Sequence, residues 1–451
     1  MDVILAVPHV DAGGAQSVRV AIRSATPPDP VVRFEHVQGP CPVAVPVQWC
    51  PLVHGPHDLF VATVPLGKLA RDVRIGRVCI GAVARAVDVR MRALPNELPG
   101  RDEEPLRVLL SSCFYRRNDS GHVGEAVGAL RDKYPPHLKV LCGDQVYLDM
   151  PVSENLPRDK GPLGRRLLAK YVEHWNDGVT GPPWGYGNFL GWGANVFVSD
   201  DHEFWNNYPY RTAIASNTWT KRGREEWGEL AAELFLALQT CRDLDGGAPP
   251  ALCFTVGQRK RVSFCALDGR FSRTQDRAYS PADKARVLQW IAQLDCPGLL
   301  VLSQPLFEDS HGFLGRRVAD ASLQDFDDHN EIERALLSAA HDIVVLSGDI
   351  HGGRVAQAEG ARARIYEVVA SPTALVDFNK YHRDPANATF PAAAGRRQSR
   401  ASVRSGAPVL CDHVALLSIC ASDQSVHIGV EHWGLGERPK LQARTMLANL
   451  Q

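Results

Sequence analysis

The segment HLKVLCGDQVY (residues 137–147) is an apolar run that ends abruptly in polar residues. Such a run predicts a buried strand followed by a loop. The segment LRVLLSSC (106–113) has the same form, and residues 121–133 between the two have the pattern of a helix. Strand, helix and strand in this order form a βαβ unit, which predicts an α/β fold built on parallel strands.

The same pattern recurs along the chain. Four further apolar runs end in polar residues: GANVFVSDD (193–201), RVSFCALDGR (261–270), GLLVLSQP (298–305) and DIVVLSGD (342–349). Helix start signals lie between some of them. Ser280 is a predicted N-cap before Pro281, with Asp283 at the third helical position, and Asp328 precedes the helical stretch HNEIERALLSAAH. Strand-like segments return after about residue 361, which predicts a second sheet layer.

Residues 1–98 differ from the rest of the chain in their hydrophobic pattern. Short runs such as LFVATVPL and RVCIGAV alternate with a period near two and contain no helical window, which predicts a small, immunoglobulin-like β-sandwich domain. The segment LPNELPGRD (94–102) has the Pro, Gly and charge content of a linker. We therefore expect an N-terminal domain over 1–98 and a larger domain over 99–451. The polar, basic residues 379–407 are expected to form a mobile loop.

The composition narrows the function classes. The 451 residues include 50 Lys and Arg and 51 Asp and Glu. The chain therefore lacks the excess of positive charge that is typical of nucleic-acid-binding proteins, and no stable nucleic-acid partner is expected. The longest apolar runs are far shorter than a membrane span, and the first residues do not resemble a signal peptide, so a cytoplasmic location is expected. The eleven cysteines include no C-x-x-C pair. Cys253 and Cys265 lie within apolar runs and are expected to be buried core thiols. Oligomeric state is not predicted.

The polar residues at the strand ends form a candidate site, because ligands of α/β sheets bind beyond the carboxyl ends of the strands. Two carboxylates 4 Å apart repel each other with an energy of about 4 kcal/mol at an effective dielectric of 20. Bound cations would offset this repulsion. Asp144 and Tyr147 are three residues apart, and Asp349 and His351 are two apart, so each pair is expected to face one side. The sequence thus predicts a metal cluster at this edge.

The blocks GDQVY, SDDHEFWNN, LDGRFSR, VLSQPL and LSGDIH occur in this order, and together they resemble the PhoD-like alkaline phosphatases, a branch of the calcineurin-like metallophosphoesterases. The resemblance implies a β-sandwich flanked by helices, in four layers (αββα), after the N-terminal β-sandwich domain. It also implies a centre of Fe³⁺ and Ca²⁺, with a manganese or zinc pair as the alternative. Gln304 lies where the superfamily has a metal-binding histidine, a departure that the PhoD-like branch shares.

The resemblance assigns six metal ligands. Asp144 would bridge the two metals, and the others divide between an iron site and a calcium site: Cys113, Tyr147 and His351 for iron, and Asp201 and Asp349 for calcium. A trivalent ion is consistent with a phenolate ligand, because a free tyrosine keeps its proton at neutral pH.

The implied reaction is hydrolysis of phosphate monoesters or diesters, small phosphoester substrates, by a metal-activated hydroxide. His202 would protonate the leaving group, or would only orient Asp201. Arg270 would hold a phosphate oxygen, or would bond a helix end. Asn206 and Asn207 would contact substrate oxygens or satisfy the loop backbone. A phosphodiesterase specialised for a nucleotide or lipid headgroup, and a non-catalytic metalloprotein that binds a phosphorylated ligand, remain alternatives.

Overall fold

The computed structural model describes residues 2–119, 121–175, 185–241, 251–310, 321–374, 389–390, 399–400, 402–403 and 408–451. Most of the loop predicted over 379–407 lies outside these residues. The described helices are α1 (His122–Lys133), α2 (Lys160–Trp175), α3 (Tyr186–Leu190), α4 (Lys221–Leu238), α5 (Pro281–Gln293) and α6 (Asp327–Leu337). None of these helices combines the length and the hydrophobicity that a bilayer crossing requires.

The strands fall into three stretches of the chain. The first eight are β1 (Asp2–Val10), β2 (Gln16–Arg23), β3 (Val31–Gln38), β4 (Ala44–Pro46), β5 (Cys50–Pro51), β6 (Leu59–Gly67), β7 (Val73–Ile80) and β8 (Val83–Met91). The central strands are β9 (Leu106–Ser111), β10 (Leu138–Cys142), β11 (Ala194–Val198), β12 (Leu252–Val256), β13 (Val262–Ala266), β14 (Gly298–Val301), β15 (Ile343–Ser347), β16 (Arg354–Glu359) and β17 (Arg364–Val369). The last six are β18 (Thr389–Phe390), β19 (Ser399–Arg400), β20 (Ser402–Val403), β21 (His413–Ala421), β22 (Val426–Gly434) and β23 (Lys440–Leu450).

The six strands predicted from apolar runs that end in polar residues divide equally between two large sheets. The first sheet has the order β23-β22-β21-β9-β10-β11-β1-β2-β6-β5, and the second has the order β12-β13-β14-β15-β17-β16-β20. Strands β9, β10 and β11 are mutually parallel in the first sheet, and β13, β14 and β15 are parallel in the second. Two sets of carboxyl-terminal strand ends are therefore available to build one site.

The two sheets pack face to face, with helices on both outer surfaces. One core joins apolar side chains of both sheets, among them Val108 and Val140 of the first and Phe264, Val301 and Leu346 of the second. A second core joins helices α1 to α4 to the outer face of the first sheet, and a third joins α5 and α6 to the second. This αββα arrangement confirms the predicted fold class.

The N-terminal β-sandwich shares a sheet with the rest of the molecule. Strands β3, β4, β7 and β8 form a separate four-stranded sheet, which packs through Phe34 and Ile75 against Val18 and Val20 of β2. Strand β1 pairs in parallel with β11 through His9 and Asn195. The first large sheet thus supplies one layer of the sandwich, and the boundary expected near residue 98 stays a prediction.

The two predicted helix starts have different outcomes. Ser280 accepts a hydrogen bond from the backbone N–H of Asp283 at the start of α5, as the sequence predicts. The helix expected after Asp328 is present, but Asp328 is not its cap, since α6 begins at Asp327 and its N-cap is Phe326. The Asp328 carboxylate accepts hydrogen bonds from the backbone N–H groups of Ala278 and Tyr279 instead, because it packs against that loop.

Candidate metal centre

The carboxyl ends of the parallel strands in both sheets meet at one edge of the molecule. A Cβ atom on Gly348, which follows β15, would lie 2.3 Å from Ser112 Oγ and 2.9 Å from the carbonyl oxygen of Cys142. A Cβ atom on Gly143, whose φ is 80°, would lie 2.4 Å from Cβ of Asp200. Glycine is required at both positions because the strand-end loops touch here.

Asp144 lies at the centre of these loops. Its Oδ2 atom is 3.5 Å from Cys113 Sγ and 3.4 Å from the Tyr147 hydroxyl. Its Oδ1 atom accepts a hydrogen bond of 3.2 Å from the backbone N–H of His202. Asp144 is 2% exposed, and Cys113 and Tyr147 are fully buried. The Cys113 thiol and the Tyr147 phenol, which come from two loops, therefore converge on one carboxylate oxygen of Asp144.

Asp201 adds a second carboxylate to this cluster. Single donor atoms of Asp144, Asp201 and His202 all lie within 4.8 Å of one another, close enough to hold a metal ion. The Asp201 Oδ2 atom accepts a hydrogen bond of 2.6 Å from the backbone N–H of Asn207, which fixes the direction of the carboxylate.

Asp349 and His351 lie beside the cluster, and His351 is joined to it through Ser371. The Ser371 hydroxyl donates to Cys113 Sγ over 3.1 Å and accepts from the backbone N–H of His351 over 3.2 Å. Burial and the Asp144 carboxylate raise the pKa of Cys113, and the Asp349 carboxylate adds a smaller rise. Asp349 also accepts a hydrogen bond of 3.2 Å from Gln304 Nε2. The structure therefore brings Cys113, Asp144, Tyr147 and Asp201 together and links the backbone of His351 to them through Ser371, while Asp349 lies near enough for its charge to act on Cys113. Their coordination of metal stays a prediction.

Backbone strain is concentrated at this edge. Seven non-glycine residues in the described ranges have a positive φ, and five of them are predicted site residues: Cys113 (56°), Asp144 (55°), Asn207 (63°), Asp349 (69°) and His351 (50°). A left-handed conformation costs about 1–3 kcal/mol per residue and persists where the surroundings impose it, which is common at functional sites.

His202 is held by a carboxylate that the sequence analysis did not assign to it. Its Nδ1 atom lies 2.7 Å from Asp149 Oδ1, and Asp149 Oδ2 accepts a 2.7 Å hydrogen bond from the backbone N–H of Asn206. With Nδ1 engaged, Nε2 is the ring nitrogen available to a substrate. This pair fixes the imidazole as a proton donor would require.

Glu203 joins the two loops that carry the cluster. Its carboxylate accepts hydrogen bonds from the backbone N–H groups of Asp144 (2.8 Å), Gln145 (2.6 Å) and Asp200 (2.8 Å), and Gln239 Nε2 lies 3.4 Å away. Burial raises the pKa of Glu203 to about 7, although these hydrogen bonds oppose the rise. The role of Glu203 is therefore to position Asp144 relative to Asp201.

Arg270 lies beside the site but is fully buried. Its Nε atom donates a 2.5 Å hydrogen bond to Asp200 Oδ1, and another guanidinium nitrogen donates to the Tyr208 carbonyl over 3.0 Å. These contacts favour a role in holding the loop around Asp201, and the predicted contact of Arg270 with phosphate stays a prediction. Asn207 Oδ1 accepts from the backbone N–H of Ala321, and its predicted substrate contact is likewise untested.

The electrostatics of the cluster favour a bound cation. Burial raises the pKa of Asp144 well above 3.8, with His202 opposing the rise and Asp201 adding to it. Burial also raises the pKa values of Cys113 and Tyr147, to which the Asp144 carboxylate adds. Each of these groups binds a metal in its deprotonated form, and a cation would reverse the shifts. The donor set therefore fits a metal centre.

The same excess of negative charge acts on His202. Burial lowers the pKa of its imidazole, but the carboxylates of Asp149, Asp201 and Asp144 outweigh burial and hold the pKa well above 6.5. These carboxylates therefore favour the protonated imidazole, and a bound cation would weaken their effect.

Three contacts of the site are not predicted from the sequence. The sequence places Asp149 in the same strand-end loop as Tyr147, which marks it as a residue near the site. Spacing alone does not show that its partner is His202. Ser371 carried no signal, because it lies 258 residues from Cys113 in sequence. The contact of Gln304 with Asp349 depends on Arg273, whose guanidinium bonds Gln304 Oε1 over 2.8 Å and so turns the amide N–H₂ toward Asp349.

Comparison with known proteins identifies the fold. No known protein family matches the sequence, and no curated protein matches it significantly. Among solved structures, PhoD aligns with a TM-score of 0.64 at 11% identity, covering 99% of this chain and 91% of PhoD. The purple acid phosphatase PPD1 from yellow lupin (Lupinus luteus) seeds aligns with a TM-score of 0.56 at 11% identity, covering 98% of this chain and 73% of that enzyme.

These alignments span nearly the whole chain and confirm the resemblance at the level of the fold. The chain shares the fold of PhoD and of the purple acid phosphatase. At 11% identity the likeness concerns the fold alone, so the chemistry must be argued from the side chains of this chain.

Proposed function

We propose that this protein is a metal-dependent phosphoesterase that hydrolyses phosphate monoesters or diesters. The observation that carries the proposal is the cluster of Asp144, Asp201 and His202, two buried carboxylates and a partly exposed imidazole whose donor atoms lie within 4.8 Å of one another. It lies at the carboxyl ends of parallel strands, where α/β folds place their ligands.

The donor chemistry supports two different cations. Cys113, Tyr147 and His351 would hold Fe³⁺, and Asp201 and Asp349 would hold Ca²⁺, with Asp144 shared between them. Bound cations would supply a Lewis acid for the phosphoryl oxygens and a more acidic water. The contacts of both Cys113 and Tyr147 with the same Asp144 oxygen support the grouping at the iron site.

The residues of the chain would supply proton transfer and orientation. Asp149 holds the Nδ1 side of His202, so a proton on Nε2 can pass to the departing oxygen as the P–O bond breaks. Such general acid catalysis contributes about 10²- to 10⁴-fold. Asn206 and Asn207 follow in the same loop and would orient substrate oxygens.

Turnover of p-nitrophenyl phosphate and bis(p-nitrophenyl) phosphate by the iron- and calcium-loaded protein tests the proposal. The ratio of kcat/KM for the two esters separates a monoesterase from a diesterase. We expect the His202→Ala variant to lose about 10²- to 10⁴-fold in kcat, and to lose more with phenyl phosphate, whose leaving group needs the proton. His57→Ala, at an exposed histidine, is the matched control and should retain activity.

One result would contradict the proposed hydrolase, and a second would contradict only the role of His202. Metal-loaded protein that binds phosphate but hydrolyses none of these esters would be a non-catalytic metalloprotein. An equal loss in His202→Ala for good and poor leaving groups would leave the hydrolase intact but remove the proton-donor role of His202.

A further inference from the structure

Two cysteines face each other at the edge of the second large sheet. Cys253 of the edge strand β12 and Cys265 of β13 are directly opposite partners in an antiparallel pair. Their sulfur atoms are 3.1 Å apart, and both are free thiols. Directly opposite residues of antiparallel strands have Cα atoms about 4.5–5.5 Å apart, within the range of about 4.4–6.8 Å that a disulfide spans.

The register of this pair is fixed from the opposite face of the sheet. The next residue of β12 and the preceding residue of β13, Phe254 and Phe264, stack with ring centroids 4.8 Å apart and an interplanar angle of 3°. Both rings belong to the core between the sheets. A slip of one residue would expel them from this core, so the sulfur atoms are held in contact.

The two thiols differ in access. Cys265 is fully buried, as the sequence predicts. Cys253 is half-buried rather than buried, because β12 has no further strand on its outer side among the described residues. Hydrogen bonds from Cys265 and from Arg286 of α5 lower the pKa of Cys253 to about 7, against the opposing effect of burial. Cys253 is thus the accessible nucleophile, and Cys265 is the partner behind it.

We propose that Cys253 and Cys265 form a reversible disulfide when the protein meets a peroxide. The Cys253 thiolate attacks one peroxide oxygen, the O–O bond breaks, and a sulfenic acid and hydroxide are produced. Cys265 then loses its proton and attacks the Cys253 sulfur, the S–OH bond breaks, and the hydroxide leaves as water. Two thiols are oxidised as one hydrogen peroxide is reduced to two waters. This inference is independent of the proposed phosphoesterase activity.

The disulfide would bind the edge strand to its neighbour close to the candidate metal centre. Strand β13 runs into Asp268, whose carboxylate accepts hydrogen bonds from the backbone N–H and the hydroxyl of Ser199. Ser199 directly precedes the loop of Asp200 and Asp201. Because a cross-link constrains the unfolded chain, the oxidised protein should melt at a higher temperature than the reduced protein.

Peptide mapping of the full-length protein after hydrogen peroxide treatment tests the proposal. We expect tryptic peptides 243–259 and 262–270, which contain one cysteine each, to appear joined and two hydrogen atoms lighter than their sum. The free thiol count should fall by two from eleven, and dithiothreitol should restore both. Cys253→Ser should abolish the joined peptide and the rise in melting temperature. Cys420→Ser, at a partly exposed strand cysteine of the other sheet, is the matched control and should retain both.

Other products would overturn the proposal. Oxidation of Cys253 to sulfinic acid with Cys265 still alkylatable would show that the buried thiol cannot reach its partner. Pairing of either cysteine with a different one, or full alkylation of both after peroxide, would also overturn it. The peptide mapping uses the unmutated protein, so a folding defect in a variant does not affect whether the disulfide is detected.

Discussion

Asp144 shows how one residue depends on the whole site. Its φ of 55° is strained, its carboxylate touches Cys113, Tyr147 and the His202 backbone, and burial raises its pKa well above 3.8. Strain and buried charge are both unfavourable alone. A bound cation would offset the electrostatic cost, so side-chain substitutions here should alter metal binding before they alter the fold.

We predict that the iron-loaded protein is coloured. Thiolate and phenolate ligands on Fe³⁺ give broad charge-transfer bands in the visible range, and Cys113 and Tyr147 are the donors that would produce them. Tyr147→Phe should lose the phenolate band in an absorption spectrum, whereas Tyr115→Phe, at the neighbouring ring 5.3 Å away, should keep it. Active, colourless protein that contains zinc alone would contradict the iron site.

We predict that the second site is selective for calcium. Asp201 and Asp349 offer hard carboxylate oxygens, which suit Ca²⁺. EGTA should abolish turnover and added Ca²⁺ should restore it, while Asp201→Asn should require a higher Ca²⁺ concentration for half-maximal activity. Turnover that is indifferent to EGTA would exclude calcium from this position.

At the scale of elements, the site depends on how the loops after β10 and β11 are joined. Glu203 spans both loops by accepting backbone N–H bonds from Asp144, Gln145 and Asp200. The same device recurs away from the site, where Glu233 of α4 accepts backbone N–H bonds from Val53, His54 and Gly55. The two buried glutamates therefore form a matched pair, one at the cluster and one remote from it.

We predict that Glu203→Gln weakens metal binding about 10- to 100-fold, the usual effect of losing a residue that orients ligands. The amide that replaces one carboxylate oxygen cannot accept a backbone N–H, so the Asp144 loop loosens relative to Asp201. Titration calorimetry with Ca²⁺ measures the change. Glu233→Gln should lower the unfolding temperature but leave metal affinity unchanged; equal effects on metal affinity would show that Glu203 acts through stability alone.

At the scale of the whole molecule, burial of histidines links the fold to pH. Burial lowers the pKa values of His9, His137 and His413 to about 3, and those of His174 and His432 to about 4. The unfolded chain would take up protons at these groups near pH 6.5, but the folded chain does so only near pH 3–4. Unfolding therefore takes up protons in this window, and stability falls as the pH is lowered.

We predict that each such histidine contributes about 1.4 kcal/mol of lost stability per pH unit between roughly pH 6 and pH 4. His9 is a suitable test, because burial and the charges of Arg19 and Lys139 all lower its pKa. Urea unfolding at several pH values should show a shallower dependence for His9→Gln than for the unmutated protein. His54→Gln, at an exposed histidine, should leave the dependence unchanged, and identical slopes for all three proteins would contradict the prediction.

The sequence by itself determined the local features of this protein. The apolar runs of β9, β10, β11, β13, β14 and β15 set the strands, and the polar residues that end each run marked the candidate ligands. The Ser280 cap was also readable, because its hydrogen bond lies within one helical turn. Such features depend on residues close together in the chain, so spacing and residue type are sufficient.

The tertiary structure decided what depends on distant residues. It divided the six strands between two sheets, joined β1 to β11, and gave Asp328 a loop to bind in place of a helix end. It also brought Ser371 to Cys113 across 258 residues and Asp149 to His202. These contacts follow from the packing of the sheets against each other, which no local pattern encodes, since a strand or a carboxylate has many possible partners until the core fixes their positions.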